Sequence, residues 1–388
     1  MQKSTIYLGL ILFFSSFINS PKSFSQCIGG FSPNGMPCSG PIRTAVPFLL
    51  INPDARSGAM GDAGIATSPD ATALHFNASK LAFSDKKFGA TVSYTPWLRN
   101  LGVNDIFLTY EAFYLQIGKE RQHTLGLSHR YFSLGSLEWT DFNGNVVGSG
   151  TPREHEIAMT YARKITPNFA LGLTAKYIYS NLATDQTIGS DPIKTGEAIA
   201  ADLSMTYHKP LKIKDLESDL TIGLAIKNIG NKISYLRSED FLPANLGIGA
   251  AWKMQLHPYH SITLALDFNK LLVPSPDPAG AWRNKSVVGG MLSSFGDAAG
   301  GFSEELQEIN VSMGLEYWFM QYVAARGGMF IEPDGKGGRK YFTTGLGLRY
   351  KWFNFNASYL FPRSNSRGPL DNTFRFTLII NPADFIKS

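Results

Sequence analysis

The stretch "SGAMGDAGIA" places Gly58, Gly61 and Gly64 three residues apart. A glycine-rich loop that opens a helix can cradle phosphate through its backbone N–H groups. This one lacks the rest of that chemistry. No lysine follows Gly64, so there is no Gly-Lys-Ser/Thr ending, and no two glycines stand one residue apart as the dinucleotide fingerprint requires. What remains is packing, because a residue without Cβ lets one backbone approach another. No cofactor is expected.

Other reactive groups are equally scattered. Ser128 and His129 are adjacent, but neighbouring residues of a strand point to opposite faces and cannot form a nucleophile–base pair. Gly-x-Ser-x-Gly does not occur. His75, His123, His129, His155, His208, His257 and His260 show no metal-ligand spacing. Cys27 and Cys38 are two ligands short of a zinc site, and in an exported chain they are expected to close one small disulfide loop. These residues give no basis for an enzyme. The formal charge of +5 falls to about +3 once Lys3 and Lys22 are set aside, too little and too dispersed for a nucleic-acid partner.

The elements that would position these residues read clearly. Residues 1–25 resemble a secretory signal peptide: Lys3, an apolar stretch over 7–18, and Ser23-Phe24-Ser25 before Gln26. A disulfide loop over 26–40 and a plug segment with short helices over 41–86 follow. From 87 to 382 the chain changes to period-two runs, with 383–388 as a tail. Fourteen runs are predicted as strands: 87–96, 104–117, 122–138, 154–165, 169–182, 197–208, 220–235, 244–256, 260–273, 309–320, 322–332, 340–351, 353–362 and 371–381. In the eighth, Leu246, Ile248, Ala250 and Trp252 oppose Gly247, Gly249, Ala251 and Lys253. In the last, Phe374, Phe376, Leu378 and Ile380 oppose Arg375, Thr377 and Ile379.

Long connections (139–153, 183–196, 274–308) alternate with short ones ("GKERQ", "TPN", "HPYH"), with 209–219 as a longer, charged exception. Trp97 and Trp139 fall at outer strand ends, and Trp252, Trp318 and Trp352 near periplasmic ends, as two interfacial belts would. With 27 Phe, 16 Tyr, 38 Gly and only 17% charged residues, the chain suits a barrel whose apolar face meets lipid. Closure leaves no unpaired edge in hydrocarbon. The expected fold is all-β: a 14-stranded antiparallel outer-membrane β-barrel with an N-terminal plug, and outer-membrane lipid as its first partner.

Phasing places Arg130, Lys176, Lys227, Lys253, Arg349 and Arg375 in the lumen, with Asp202, Asp267 and Glu316 as candidate counter-charges and Asp54, Arg56, Asp62 and Asp70 as plug partners. The loop 274–308 carries two apolar-rich elements, with Val287, Val288, Met291, Leu292 and Phe295 in one and Phe302 and Leu306 in the other. A loop of that length suggests a partner surface, a lid over the mouth, or both.

The segment "NPDARSGAMGDAGIATSPDATALHFNASKLAF" resembles the N-terminal plug of FadL-like outer-membrane barrels, in particular the PorV/PorQ branch of type IX secretion. The matching positions are Asp54, Ala55, Arg56, Met60, Gly61, Ala63, Gly64, Ala66, Asp70, Asn77, Lys80 and Leu81, and the closing "NPADFI" also fits. Ala78 stands where the family has proline. The resemblance implies a non-enzymatic outer-membrane component of type IX secretion. Such a protein would bind cargo through its C-terminal signal domain, meet the translocon barrel, and pass cargo to the sortase and attachment complex. A FadL-like transporter of hydrophobic small molecules is the alternative reading.

Overall fold

A computed structural model describes residues 40–99, 105–140, 143–183, 186–188, 191–213, 216–277, 280–363 and 373–382. The expected signal peptide, the Cys27–Cys38 disulfide and the C-terminal tail lie outside the described residues. No described helix is long and apolar enough to cross a membrane.

Fourteen strands form one closed antiparallel barrel in chain order. They are β1 (Phe88–Pro96), β2 (Ile106–Ile117), β3 (His123–Leu134), β4 (Arg153–Thr166), β5 (Phe169–Asn181), β6 (Gly196–Ile213) and β7 (Leu216–Gly230). The circuit continues through β8 (Asn245–His257), β9 (His260–Leu271), β10 (Ile309–Phe319), β11 (Val323–Ile331), β12 (Lys340–Tyr350), β13 (Phe353–Pro362) and β14 (Phe374–Ile380). The seam pairs Ala90–Tyr94 of β1 with Phe376–Ile380 of β14.

The period-two pattern produces this wall directly. In β12, Tyr341, Thr343, Gly345 and Gly347 are buried, while Phe342, Leu346 and Leu348 face outward. In β14, Arg375, Thr377 and Ile379 are buried between exposed Phe374, Phe376 and Leu378. An exterior of large apolar side chains over a polar, small-residue interior suits a barrel with hydrocarbon around it.

Three local expectations need correction. The stretch 209–219 is no loop: β6 and β7 extend past the other strands and pair from Lys209↔Leu220 to Ile213↔Leu216, so the alternation of short and long connections has no exception. Leu137–Thr140 leaves the third run to pair with Val146–Gly150, and Ile233–Ser234 leaves the seventh to pair with Glu239–Asp240. Three tryptophans are not belt residues, Trp139 among them, since it lies in the hairpin that pairs it with Gly148 beyond the barrel strand. Trp318 shares the inward phase of Glu316 and lies under the guanidinium groups of Arg349 (4.1 Å) and Arg326 (5.4 Å). Trp97 turns to the mouth, edge-on to Phe132.

Residues 41–86 occupy the lumen. They form a 3-10 turn (Pro47–Leu50), α1 (Ala55–Gly58), α2 (Ala73–Phe76) and a second 3-10 turn (Ala78–Phe83). At the long-loop end, the Ala45 amide donates to Phe241 O (2.8 Å). At the short-turn end, Gln116 Nε2 donates to Leu81 O (2.8 Å) and Ser84 Oγ meets Tyr114 Oη (2.7 Å).

Candidate functional site

The helix α1 starts where Asp54 caps it, accepting from the amides of Arg56 (3.0 Å) and Ser57 (2.8 Å). Asp54 is fully buried, and burial followed by the nearby Asp70 pushes its carboxyl above the ordinary range, against the pull of those amides. Arg56 then reaches the wall. Its guanidinium forks onto Glu316 of β10 (2.9 and 2.8 Å) and reaches Asp70 (2.9 Å) and Ser68. Glu316 also accepts from Arg326 of β11 (2.7 Å), so one buried carboxylate serves two guanidinium groups. Bidentate pairing of this kind fixes orientation as well as charge.

Gly61 and Gly64 are where chain meets wall. Gly61 has φ +66°, and a Cβ there would lie 2.3 Å from Met329 O. Its amide donates to Thr343 Oγ1 (2.8 Å). The amides of Gly64 and Ile65 both donate to Asp267 Oδ2 of β9 (2.7 and 2.8 Å), a small anion nest turned on a wall carboxylate. Gly58 meets side chains instead of wall backbone: a Cβ would lie 2.8 Å from Arg375 Nη1 and 3.1 Å from Ser358 Oγ. Asn77 ties Ile65 O (3.1 Å) to Thr206 of β6 (3.0 Å). Lys80 donates to Gly64 O (2.5 Å) from a buried position that lowers its amine to about 8.

A second cluster joins β3 to β7. Arg130 donates to Phe48 O (3.1 Å) and Leu49 O (3.0 Å), and touches His75. Burial, then Arg130, holds the His75 imidazole well below its ordinary value and thus neutral. Glu156 neutralises Arg130 (3.5 Å) and Lys176 (3.2 Å), and Lys176 reaches Asp202 (2.8 Å). Lys227 donates to His75 O (3.4 Å). Arg375 faces Asp62 (3.6 Å), which also accepts from Asn52 and Tyr341. Lys253 shares the inward phase of buried Ala251, and Arg349 sits at the open short-turn end over Trp318.

Sequence reading missed Glu156, Arg326, His75 and Lys80 as members of these clusters. Glu156 had a signal, sharing the phase of buried Ala158 and Ala162. Ser128 is lumenal and His129 outward, so the two do not meet.

The loop 274–308 contains α3 (Val287–Ser293) and α4 (Phe302–Leu306). Lys270 of β9 contacts Glu305 (2.9 Å) and Glu308. Lys336, in the next outer loop, contacts Glu304 (2.6 Å) and Glu308 (2.8 Å). Burial opposes the Lys336 charge, but its bonds to the two carboxylates hold it above the ordinary value. The helix α4 is thus inverted: Glu304 and Glu305 are buried, while Phe302 is 78% and Leu306 52% exposed. Val288, Leu292 and Phe295 are also exposed; Val287 and Met291 are half-buried. Between plug and outer loops lies a cavity of about 460 Å³, with Phe48, Ile51 and Phe132 on one side and Asp62, Arg339 and Arg375 on the other.

Closed antiparallel strands with an apolar exterior and a filled lumen define an outer-membrane β-barrel protein. The family model described as "Type IX secretion system protein PorV" matches residues 39–278. The chain belongs to that family, and is an outer-membrane component of type IX secretion. None of the curated proteins matches it in sequence. Among solved structures it is similar to a Pseudomonas aeruginosa FadL homologue (11% identity, 84% of this chain and 98% of that chain, TM-score 0.44). It is similar also to the Pseudomonas putida toluene transporter TodX (11%, 84% and 96%, 0.47). The Ralstonia pickettii toluene transporter TbuX gives comparable values (10%, 84% and 96%, 0.45).

Proposed function

We propose that this protein is a non-catalytic adaptor of type IX secretion. Its outer loops engage the translocon barrel and the C-terminal signal domain of exported cargo, and it hands cargo to the sortase and attachment complex. The observation that supports this reading is the inverted helix α4 beside α3. Salt bridges hold the loop to the barrel while Leu292, Phe295, Phe302 and Leu306 face outward. An exposed apolar patch on a fixed support is the mark of a docking surface. The plug supports an adaptor over a conduit, because the Arg56–Glu316 and Asp62–Arg375 ion pairs tie it to the wall.

The test is affinity capture from cells in which the tagged protein carries Leu292→Asp and Phe302→Asp. The wild type should recover the translocon barrel and cargo, and the variant should lose both while remaining a folded barrel. Unchanged recovery sinks the assignment to this loop. Recovery of neither by the wild type sinks the adaptor reading.

A second reading, uptake of hydrophobic small molecules, is favoured by one observation: the mouth cavity with its apolar side at Phe48, Ile51 and Phe132. Loss of hydrocarbon uptake with intact secretion in a deletion strain would select it.

A further inference from the structure

The exterior of the barrel is not uniformly apolar. On the wall from β8 to β14, outward positions such as Ile248, Leu266, Leu315, Leu346, Phe355 and Phe376 present hydrocarbon to hydrocarbon. On β2 to β5, toward the long-loop end, the outward positions carry ionisable groups. Glu111 of β2 lies opposite His129 of β3. One register step nearer the rim, Tyr131, His155 and Tyr179 stand in a row. Arg153 stands one step beyond, at the first residue of β4.

These side chains are organised. His129 Nδ1 is 3.0 Å from Glu111 Oε2, and His129 Nε2 is 3.3 Å from His155 Nδ1. The two imidazoles are stacked, and Tyr131 and Tyr179 flank His155. Tyr131, Arg153, His155, Ile157, Tyr177 and Tyr179 enclose an open groove of about 390 Å³ on the outer wall. Below it, the next outward row runs through Phe113, Leu127 and Met159, which is ordinary lipid-facing surface.

Ionisable groups turned toward lipid are costly unless something pairs with them, which makes such a cluster a functional site by default. The chemistry of the occupant follows from the donors. Glu111 orients the relay: His129 turns Nδ1 to Glu111 and Nε2 to His155 Nδ1, which leaves His155 Nε2 free on the far side of its ring. Arg153 adds a planar fork at the rim, suited to phosphate. Glu197, the nearest other acid on this face, is engaged with the Tyr177 hydroxyl. The Arg153 guanidinium and the free edge of the His155 ring thus sit toward the rim, with Ile157 and Met159 continuing into the apolar band.

We propose that this groove on β2 to β5 binds a phosphate-bearing lipid of the outer leaflet. Arg153 and His155 hold the phosphate, Glu111 and His129 position His155, and the acyl chains lie along Ile157 and Met159. The site lies on the membrane face and is independent of the docking loop.

The full chain in digalactosyldiacylglycerol nanodiscs, whose matrix carries no phosphate, doped with phosphatidic acid or with diacylglycerol of the same chains, tests it by native mass spectrometry of retained lipid. Phosphatidic acid should be retained at least tenfold over diacylglycerol. Arg153→Gln and His155→Gln should each abolish that preference. Arg163→Gln, outward on the same strand at its other end, should keep it and serves as the folding control. Equal retention of diacylglycerol, or full preference in both groove variants, overturns the proposal. Displacement of phosphatidic acid by millimolar inorganic phosphate would identify a free-anion site and overturn the lipid assignment.

Discussion

Gly61 of the plug and Gly328 of β11 meet backbone to backbone: a Cβ built on Gly328 would lie 2.1 Å from Gly61 N. Neither residue can carry a side chain without moving the plug off the wall. Gly61→Val adds strain at φ +66° to a clash with two wall carbonyls. It should cost about 3 kcal/mol or more. Gly58→Ala, which meets the side chains of Arg375 and Ser358 and no wall backbone, should cost about 1 kcal/mol. Urea unfolding of the detergent-solubilised barrel, with limited proteolysis of the plug, measures both.

Glu316 is more critical than Arg56. Glu316→Gln leaves Arg326 buried without a carboxylate and Arg56 with Asp70 alone. Arg56→Met leaves Glu316 still paired with Arg326. Removing one member of a buried pair costs about 3–5 kcal/mol. We expect Glu316→Gln to reach that range and Arg56→Met to fall below it in the same unfolding assay. The reverse order would refute the shared-carboxylate account.

Lys80 gives a pH signature. Burial lowers its amine from 10.5 to about 8, so between those values the unfolded chain binds a proton that the folded chain does not. Stability therefore rises with pH across that window. The unfolding midpoint of the wild type should climb from pH 8 to pH 10, and that climb should flatten in Lys80→Gln.

The outer latch should be separable from the barrel. Glu308 contacts both Lys270 and Lys336. Glu308→Gln should expose loop 285–300 to protease several-fold faster while heat-modifiability on gels still reports a closed barrel. Uniform loss of the folded band would place the effect in the barrel instead.

The barrel was legible because most runs set small or polar residues against large apolar ones, as in Gly345 and Gly347 against Leu346 and Leu348. It was illegible where the lipid no longer imposes the pattern. "LKIKDLESD", beyond the apolar band, carries charge on both faces, which hid the paired ends of β6 and β7. Arg326 was obscured by Gly327 and Gly328, which blank the alternation beside it. In "FSEELQEI" the apolar residues drew attention and the acids looked solvated. Glu304 and Glu305 are the buried side, because Lys336 and Lys270 lie distant in sequence and supply the counter-charge. The Arg56–Glu316 pair spans 260 positions, a separation no local pattern reveals.

The plug also sets an order of events. It enters at Ala45 beside Phe241, and leaves at Ser84 beside Tyr114, at opposite ends of the lumen. Its own next residues become β1, which closes the circuit against β14 through only Ala90 to Tyr94. The segment runs the length of a tube whose first stave it continues into, and its backbone lies against the wall at Gly328 and Gly314, which leaves little clearance for late insertion. We therefore expect the sheet to close around it, with residues 41–86 as the former on which the barrel is wound.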